Sequence, residues 1–320
     1  MMVLDRSTLL LFGLAASADA CVALSSTSGP TMSNNNNGIA VIGCGVLGTS
    51  LCKQLLESPD FSDRQVIGIT KTTNRHESIL ESVGCSSSDR FRVMTLEEVK
   101  DKCRFQDVVF CAPPSGFDDY GAAVTSAATD LWSGPSEGGT GSFVFTSSGG
   151  VYGGVDGETV NETSETSDPE SNPRTERLLK AERGTLQNGG CVLRLAGLYT
   201  LDRGAHNYWL TSGKEQIQGR EDGILNLLHY DDAAGACVAA LKATTKTTSG
   251  KIFLVSDGMP VTRKQVCESA LKAKKYRGMT VPSFGGTGPK GKLYDGSVTN
   301  EALQWKPRYP SYDAFMASQQ

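Results

Sequence analysis

The sequence predicts an α/β protein, a doubly wound parallel sheet carrying a small C-terminal lobe. Three observations lead there. Short apolar runs alternate with helix-like stretches from residue 38 to about residue 255. A glycine-rich turn joins the first run to the first helical stretch. The second half is looser, with polar, irregular connections between its apolar runs. Such alternation puts helices on both faces of a parallel sheet, whose buried strands then read as continuous apolar runs. The 320 residues suffice for one large domain or a domain plus a lobe.

The strands are read at residues 38–42, 65–70, 91–94, 107–112, 142–146, 191–195 and 251–255, mainly apolar and several β-branched. Helical spacing occurs at 49–57, 76–83, 96–103, 120–129, 231–241 and 261–273. Another helix starts at Asn172-Pro173 and runs to about Leu186, with Asn as the cap and Pro at the first helical position. Asp231 or Asp232 is the expected cap of its Ala-rich helix. Residues 154–172 are acidic and rich in Ser, Thr and Gly, a solvated loop placed to act as a lid.

The turn Gly43-Cys44-Gly45-Val46-Leu47-Gly48 carries chemistry. Its first glycine permits a tight turn. The second lets backbone approach a pyrophosphate, and the third allows close helix–strand packing. The helix opening near Val46 and Leu47 then offers free N–H groups and a positive dipole end to phosphate. The turn follows an apolar strand and opens an apolar helix, the context a Rossmann dinucleotide site requires. Cofactor choice is read about twenty residues on, at Thr70-Lys71-Thr72-Thr73-Asn74-Arg75. No acid is available there for a ribose 2′-hydroxyl, whereas Lys71, Arg75, Thr70 and Thr72 suit a 2′-phosphate, so the expected cofactor is NADP rather than NAD. Ala112, Pro113 and Pro114, after the fourth strand, are expected to shape the adenosine or ribose side.

Net charge is -4, which leaves no basic field for nucleic acid. Residues 8–16 are apolar but too short to span a bilayer, and Ala18-Asp19-Ala20 follows as a small-x-small cleavage pattern. Residues 25–37 are rich in Ser, Thr and Asn without an acid. Residues 1–37 therefore read as a bipartite leader and linker directed to a plastid, with the secretory pathway or cytoplasm as alternatives. Residues 38–190 form the nucleotide domain, and 191–320 the remaining strands and the substrate lobe. Nine cysteines, mostly in apolar elements and without zinc spacing, suit a reducing compartment. The expected partner is a small molecule, with the chain a monomer or homodimer. No metal site is expected, because His76, His206 and His229 are far apart. Gly134–Gly138 matches a hydrolase elbow only in letters. Gly286–Lys292 lacks the Ser or Thr that would bind magnesium in a phosphate loop.

Phe145-Thr146-Ser147-Ser148-Gly149-Gly150-Val151-Tyr152-Gly153, with the glycine loop, resembles the extended short-chain dehydrogenase/reductases, also called NAD-dependent epimerase/dehydratases. The likeness is greatest to their atypical YeeZ-like branch. Arg194–Tyr199, His229–Asp232 and Gly291–Ser297 extend it over about residues 38–315. The resemblance implies a Ser or Thr that orients a substrate oxygen and a Tyr-x-x-x-Lys pair that moves the proton. Ser148 matches the hydroxyl. Aligned on Glu182, the pair falls on Arg174 and Leu178, and no tyrosine lies between Tyr152 and Tyr199. Tyr152, Tyr199 and Tyr230 are the candidate replacements, with Ser148 and Tyr152 the candidate catalytic residues. Arg194 is read as an anion binder or a tie between lobes. Three activities fit: an oxidoreductase or epimerase on a small substrate of sugar-nucleotide type, an isomerase or lyase without this relay, or a non-catalytic NADP-binding sensor or assembly factor.

Overall fold

The computed structural model describes residues 37–84, 90–154 and 156–320. The expected leader, most of its linker, and Cys21 and Cys85 lie outside them. The described residues all belong to one compact unit.

In chain order the frame is β1 (Ile39–Ile42), α1 (Val46–Glu57), β2 (Val66–Thr70), α2 (His76–Val83), β3 (Phe91–Thr95), β4 (Asp107–Phe110), α3 (Tyr120–Ser126), β5 (Phe143–Ser148), α4 (Pro173–Gln187), β6 (Cys191–Leu195), α5 (Tyr230–Lys242) and β7 (Ile252–Val255). The strands form one sheet in the order β7-β6-β5-β4-β1-β2-β3, and every pairing is parallel. This is the Rossmann-type doubly wound α/β fold. The order reverses between β1 and β4, and ligands of such sheets bind there, beyond the carboxyl ends of the strands.

A core lies on each face. Leu51, Leu55, Ile79, Ala233 and Cys237 pack on one side. Tyr120, Val124, Trp132, Phe145 and Leu178 pack on the other. A third cluster, with Tyr199, Trp209, Val266, Tyr276, Tyr312 and Phe315, holds the lobe. The lobe adds α6 (Arg263–Ala270), α7 (Tyr312–Ala317) and strand pairs of two or three residues, such as Gly197–Tyr199 beside Leu227–His229.

Several local expectations change in three dimensions. The Leu96–Cys103 stretch is helical only over Leu96–Val99, and Asp101 then takes a positive φ of 59° that no helix continues through. The stretch at 120–129 leaves the α form after Ser126 for a wider turn over Ala127–Leu131. Val261–Thr262 pairs with Ile224–Leu225 as strand, so α6 begins at Arg263 with a Thr262–Gln265 capping box. The cap of α5 is His229, whose ring nitrogen accepts the Asp231 N–H at 3.1 Å. Asp231 instead accepts a bond from Ser50 at 2.7 Å. The acidic segment is no free loop. Thr159–Val160 pairs with Leu293–Tyr294, and the Asp156 carboxylate accepts the N–H groups of Lys290 and Gly291 at 2.7 and 3.1 Å. Among the described residues no helix is long and apolar enough to cross a membrane.

Candidate functional site

A cleft of about 880 Å³ opens beyond the ends of β1, β4, β5 and β6, at the reversal point. Gly43, Gly45, Val46 and Leu47 form one wall, and Ala112, Pro113 and Pro114 adjoin it. The three glycines meet three different demands. Gly43 has φ 99°, and a Cβ there would overlap the Ala112 backbone. A Cβ on Gly48 would overlap the Gly43 carbonyl and come 3.2 Å from the Cys111 sulfur, so α1 packs tightly under the turn. A Cβ on Gly45 would meet nothing within 4 Å. No side chain caps α1, and its first turn holds no acid. Its free N–H groups and positive dipole end therefore face a space that a pyrophosphate fits.

At the end of β2 the Thr70 hydroxyl is used internally, 3.0 Å from the Thr72 carbonyl and 2.7 Å from His76 Nε2. Lys71, Thr72 and Arg75 are exposed and stand outside the cleft wall. The Lys71 ammonium donates to the Gly116 carbonyl at 3.3 Å, spanning from β2 to the turn that follows Pro114.

The opposite wall is built by β5, α4, the segment Leu195–Leu198, Arg203 and Tyr230. Ser148 lines it, half-buried, with its hydroxyl accepting the Gly150 N–H at 3.1 Å. Arg174 and Leu178 line it too, at the positions where the resemblance leads one to look for Tyr and Lys. Tyr152 does not reach the cleft. It is 2% exposed, packs with Val160, Leu254 and Tyr294, and lies under the Arg194 guanidinium at 4.7 Å. Its hydroxyl makes no hydrogen bond, and burial raises its pKa. Tyr152, expected at the site, is therefore placed in the core and away from the cleft. Tyr199 is likewise buried in the lobe core, its hydroxyl unpartnered and its pKa raised by burial. Of the three candidate tyrosines only Tyr230 lines the cleft.

Arg194 is not free for a ligand. It forms a buried pair with Glu182 at 2.7 Å, and Glu182 also accepts the Ser147 hydroxyl at 2.6 Å. This network ties α4 to β5 and β6 directly behind Ser148. The cleft also contains Arg177, Arg203, Cys111 and Tyr120, none of them singled out by the motifs. Burial pushes the Cys111 thiol and the Tyr120 phenol upward, so both stay protonated. The spacing of Arg177, three residues after Arg174, was a usable signal, because such residues share a helix face. Arg203 gave none, since the folding of the lobe alone brings it to the cleft. Among the described residues no group of three or more His, Cys, Asp or Glu is placed to hold a metal.

No family model matches the sequence, and no curated protein matches it either. Solved structures do. A functionally unknown conserved protein from Silicibacter pomeroyi aligns at TM-score 0.66 and 19% identity, over 88% of this chain and 98% of its own. The dTDP-glucose 4,6-dehydratase of Bacillus anthracis, solved with NAD, aligns at TM-score 0.68 and 16% identity, over 88% and 94%. The UDP-glucuronic acid 4-epimerase of Bacillus cereus, also solved with NAD, aligns at TM-score 0.66 and 18% identity, over 88% and 95%. The chain thus has the fold of the NAD-dependent epimerases and dehydratases.

Proposed function

We propose that this chain binds NADP(H) on the glycine turn and holds a small substrate between Ser148 and the lobe. One observation carries the reading: Gly45 leaves open space above an uncapped α1, at the reversal point of the sheet. The structural neighbours solved with NAD support a nicotinamide dinucleotide. Lys71 and Arg75, with no acid from Thr70 to Arg75, favour the 2′-phosphate form. Ser148 is the residue that would orient a substrate oxygen. The reaction assigned is that of an oxidoreductase or epimerase acting without a Tyr-x-x-x-Lys relay, on a substrate of the type named for the neighbours. Fluorescence titration of the full chain tests the binding. NADPH binding tighter than NADH binding is the expected result, and binding of neither overturns the reading.

A second reading has its own support. α4 carries no tyrosine, and among the described residues the cleft wall holds no Asp, Glu, Lys or His. A protein that senses NADP(H) without turnover needs none of them. Consumption of NADPH in the presence of a carbonyl panel decides for the enzyme, and binding without consumption decides for the sensor. We also propose a plastid location, on the composition of residues 1–37 alone. A fluorescent fusion of the full chain found in the cytoplasm would overturn it.

A further inference from the structure

Arg174, Arg177 and Arg203 are exposed residues, yet all three line the cleft. None of them makes a side-chain hydrogen bond or ion pair among the described residues. Among the described residues the wall they share holds no carboxylate and no other cation. The cleft is thus a concentrated positive site in a chain of net charge -4. A low-dielectric cleft lined by one sign of charge focuses its field on a ligand of the opposite sign.

The location sharpens the point. Arg174 is the second residue of α4, and Arg177 follows one turn later on the same face. Cations at a helix N-terminus oppose the macrodipole and lower stability, whereas an anion there is favoured. Among the described residues neither arginine has an ion-pair partner to offset that cost. An oxyanion between them would meet both guanidinium groups, while the helix end itself is already served by the Asn172 cap and by Glu176 in the first turn. Guanidinium forks match phosphate and carboxylate oxygens in pairs. Arg203 faces the same space from the lobe. Arg174 stands where the resemblance calls for a proton-transferring tyrosine, and an arginine has no proton to give at ordinary pH.

We infer that these three arginines form an oxyanion subsite beside Ser148, so that the second ligand is a small molecule presenting a phosphate or carboxylate at its Ser148 end. The inference rests on the cofactor reading for its placement on the substrate side. The cofactor pyrophosphate has its own place on the other wall, over Gly45 and the N-terminus of α1.

The test is calorimetric titration of the full chain, saturated with NADPH, by inorganic phosphate and separately by malonate. The wild type binds at least one, and the one bound names the oxyanion. The variant Arg174→Gln/Arg177→Gln/Arg203→Gln loses at least about tenfold in that affinity, as expected for loss of a charge-assisted contact. Its NADPH affinity stays within about twofold of the wild type. The three single variants and thermal melts show that any loss is not unfolding. Absence of anion binding in the wild type, or equal anion affinity in the triple variant, overturns the inference. So does a parallel fall in NADPH affinity, which would assign the arginines to the cofactor's phosphates. Failure of the wild type to bind NADPH sinks the cofactor reading instead. The anion titrations without cofactor then still decide on the arginines.

Discussion

Gly43 and Gly45 are two residues apart but answer to different constraints. Gly43 is held by the fold: its φ of 99° and the Ala112 backbone leave no room for a side chain. Gly45 has room for a Cβ, so on the proposed cofactor reading it is the ligand, and not the fold, that asks for a glycine there. Gly43→Ala is therefore expected to cost about 1–3 kcal/mol in denaturant unfolding through strain and overlap. Gly45→Val should cost no more than the roughly 1 kcal/mol of a poorer N-cap residue while weakening NADPH binding by about tenfold or more. A Gly45→Val variant that binds NADPH as the wild type does would detach the turn from the cofactor. The same logic separates Lys71 and Arg75, exposed and off the cleft wall, from the glycines. Replacing both by Ala should lower NADPH affinity about tenfold or more, the loss of charge-assisted bonds to a 2′-phosphate, and leave NADH affinity alone. An equal effect on both nucleotides would remove the selectivity argument.

At the scale of elements, α4 holds Ser148 in place from behind. Glu182 accepts from Ser147 and pairs with Arg194, all three buried. Breaking one side of a buried pair leaves a charge without a partner, so Glu182→Leu should cost about 3–5 kcal/mol in urea unfolding. Glu182→Leu/Arg194→Met should recover most of it, since an apolar pair of similar volume removes both charges. If the double variant is no more stable than the single, the network matters for more than its charges. Elements like α4 were legible because their signals are local: Asn172 caps and Pro173 opens the helix, as the sequence suggests. The inner strands of the sheet were legible because each is a mainly apolar run buried on both faces, whereas the edge strand β3 carries Arg92 and is buried only at Phe91. What was not legible depends on partners distant in sequence. The cap of α5 passes to His229 because Asp231 bonds to Ser50 across the α1–α5 contact. The acidic segment gains a strand only because Leu293–Tyr294 comes to lie beside it. Tyr152 reads as a site residue by its nearness to Ser148, yet the chain turns it into the core. Arg203 enters the cleft by the fold of the lobe.

For the whole molecule, the question is what keeps the C-terminal segment against the sheet domain. Two buried acids do much of this. Asp232, on α5, accepts the N–H groups of Arg308 and Tyr309 at 2.6 and 3.2 Å. Asp257, just after β7, accepts those of Met259 and Tyr312 at 2.9 and 3.2 Å. Burial raises both carboxyls, Asp257 to about 6, and the charge of Asp232 adds to the rise. A folded pKa above the unfolded one gives stability that is complete below about 4 and lost as pH climbs through about 6. Between pH 5 and 7.5 the loss from Asp257 is on the order of 1–2 kcal/mol. His206 and His229 are shifted down by burial and work in the opposite sense over the same range. The wild-type curve alone therefore mixes the two, and the difference from Asp257→Asn isolates the acid. Asparagine keeps an acceptor oxygen for one of the two N–H groups, which reach different carboxylate oxygens, and it cannot titrate, so its constant loss of one bond leaves the pH-dependent part of the difference to the acid. The wild type's stability relative to Asp257→Asn should fall by that amount as pH rises from 5 to 7.5, read from urea midpoints at each pH. A difference that stays constant with pH would mean that Asp257 does not titrate there, and that the segment is held by the hydrogen bonds alone.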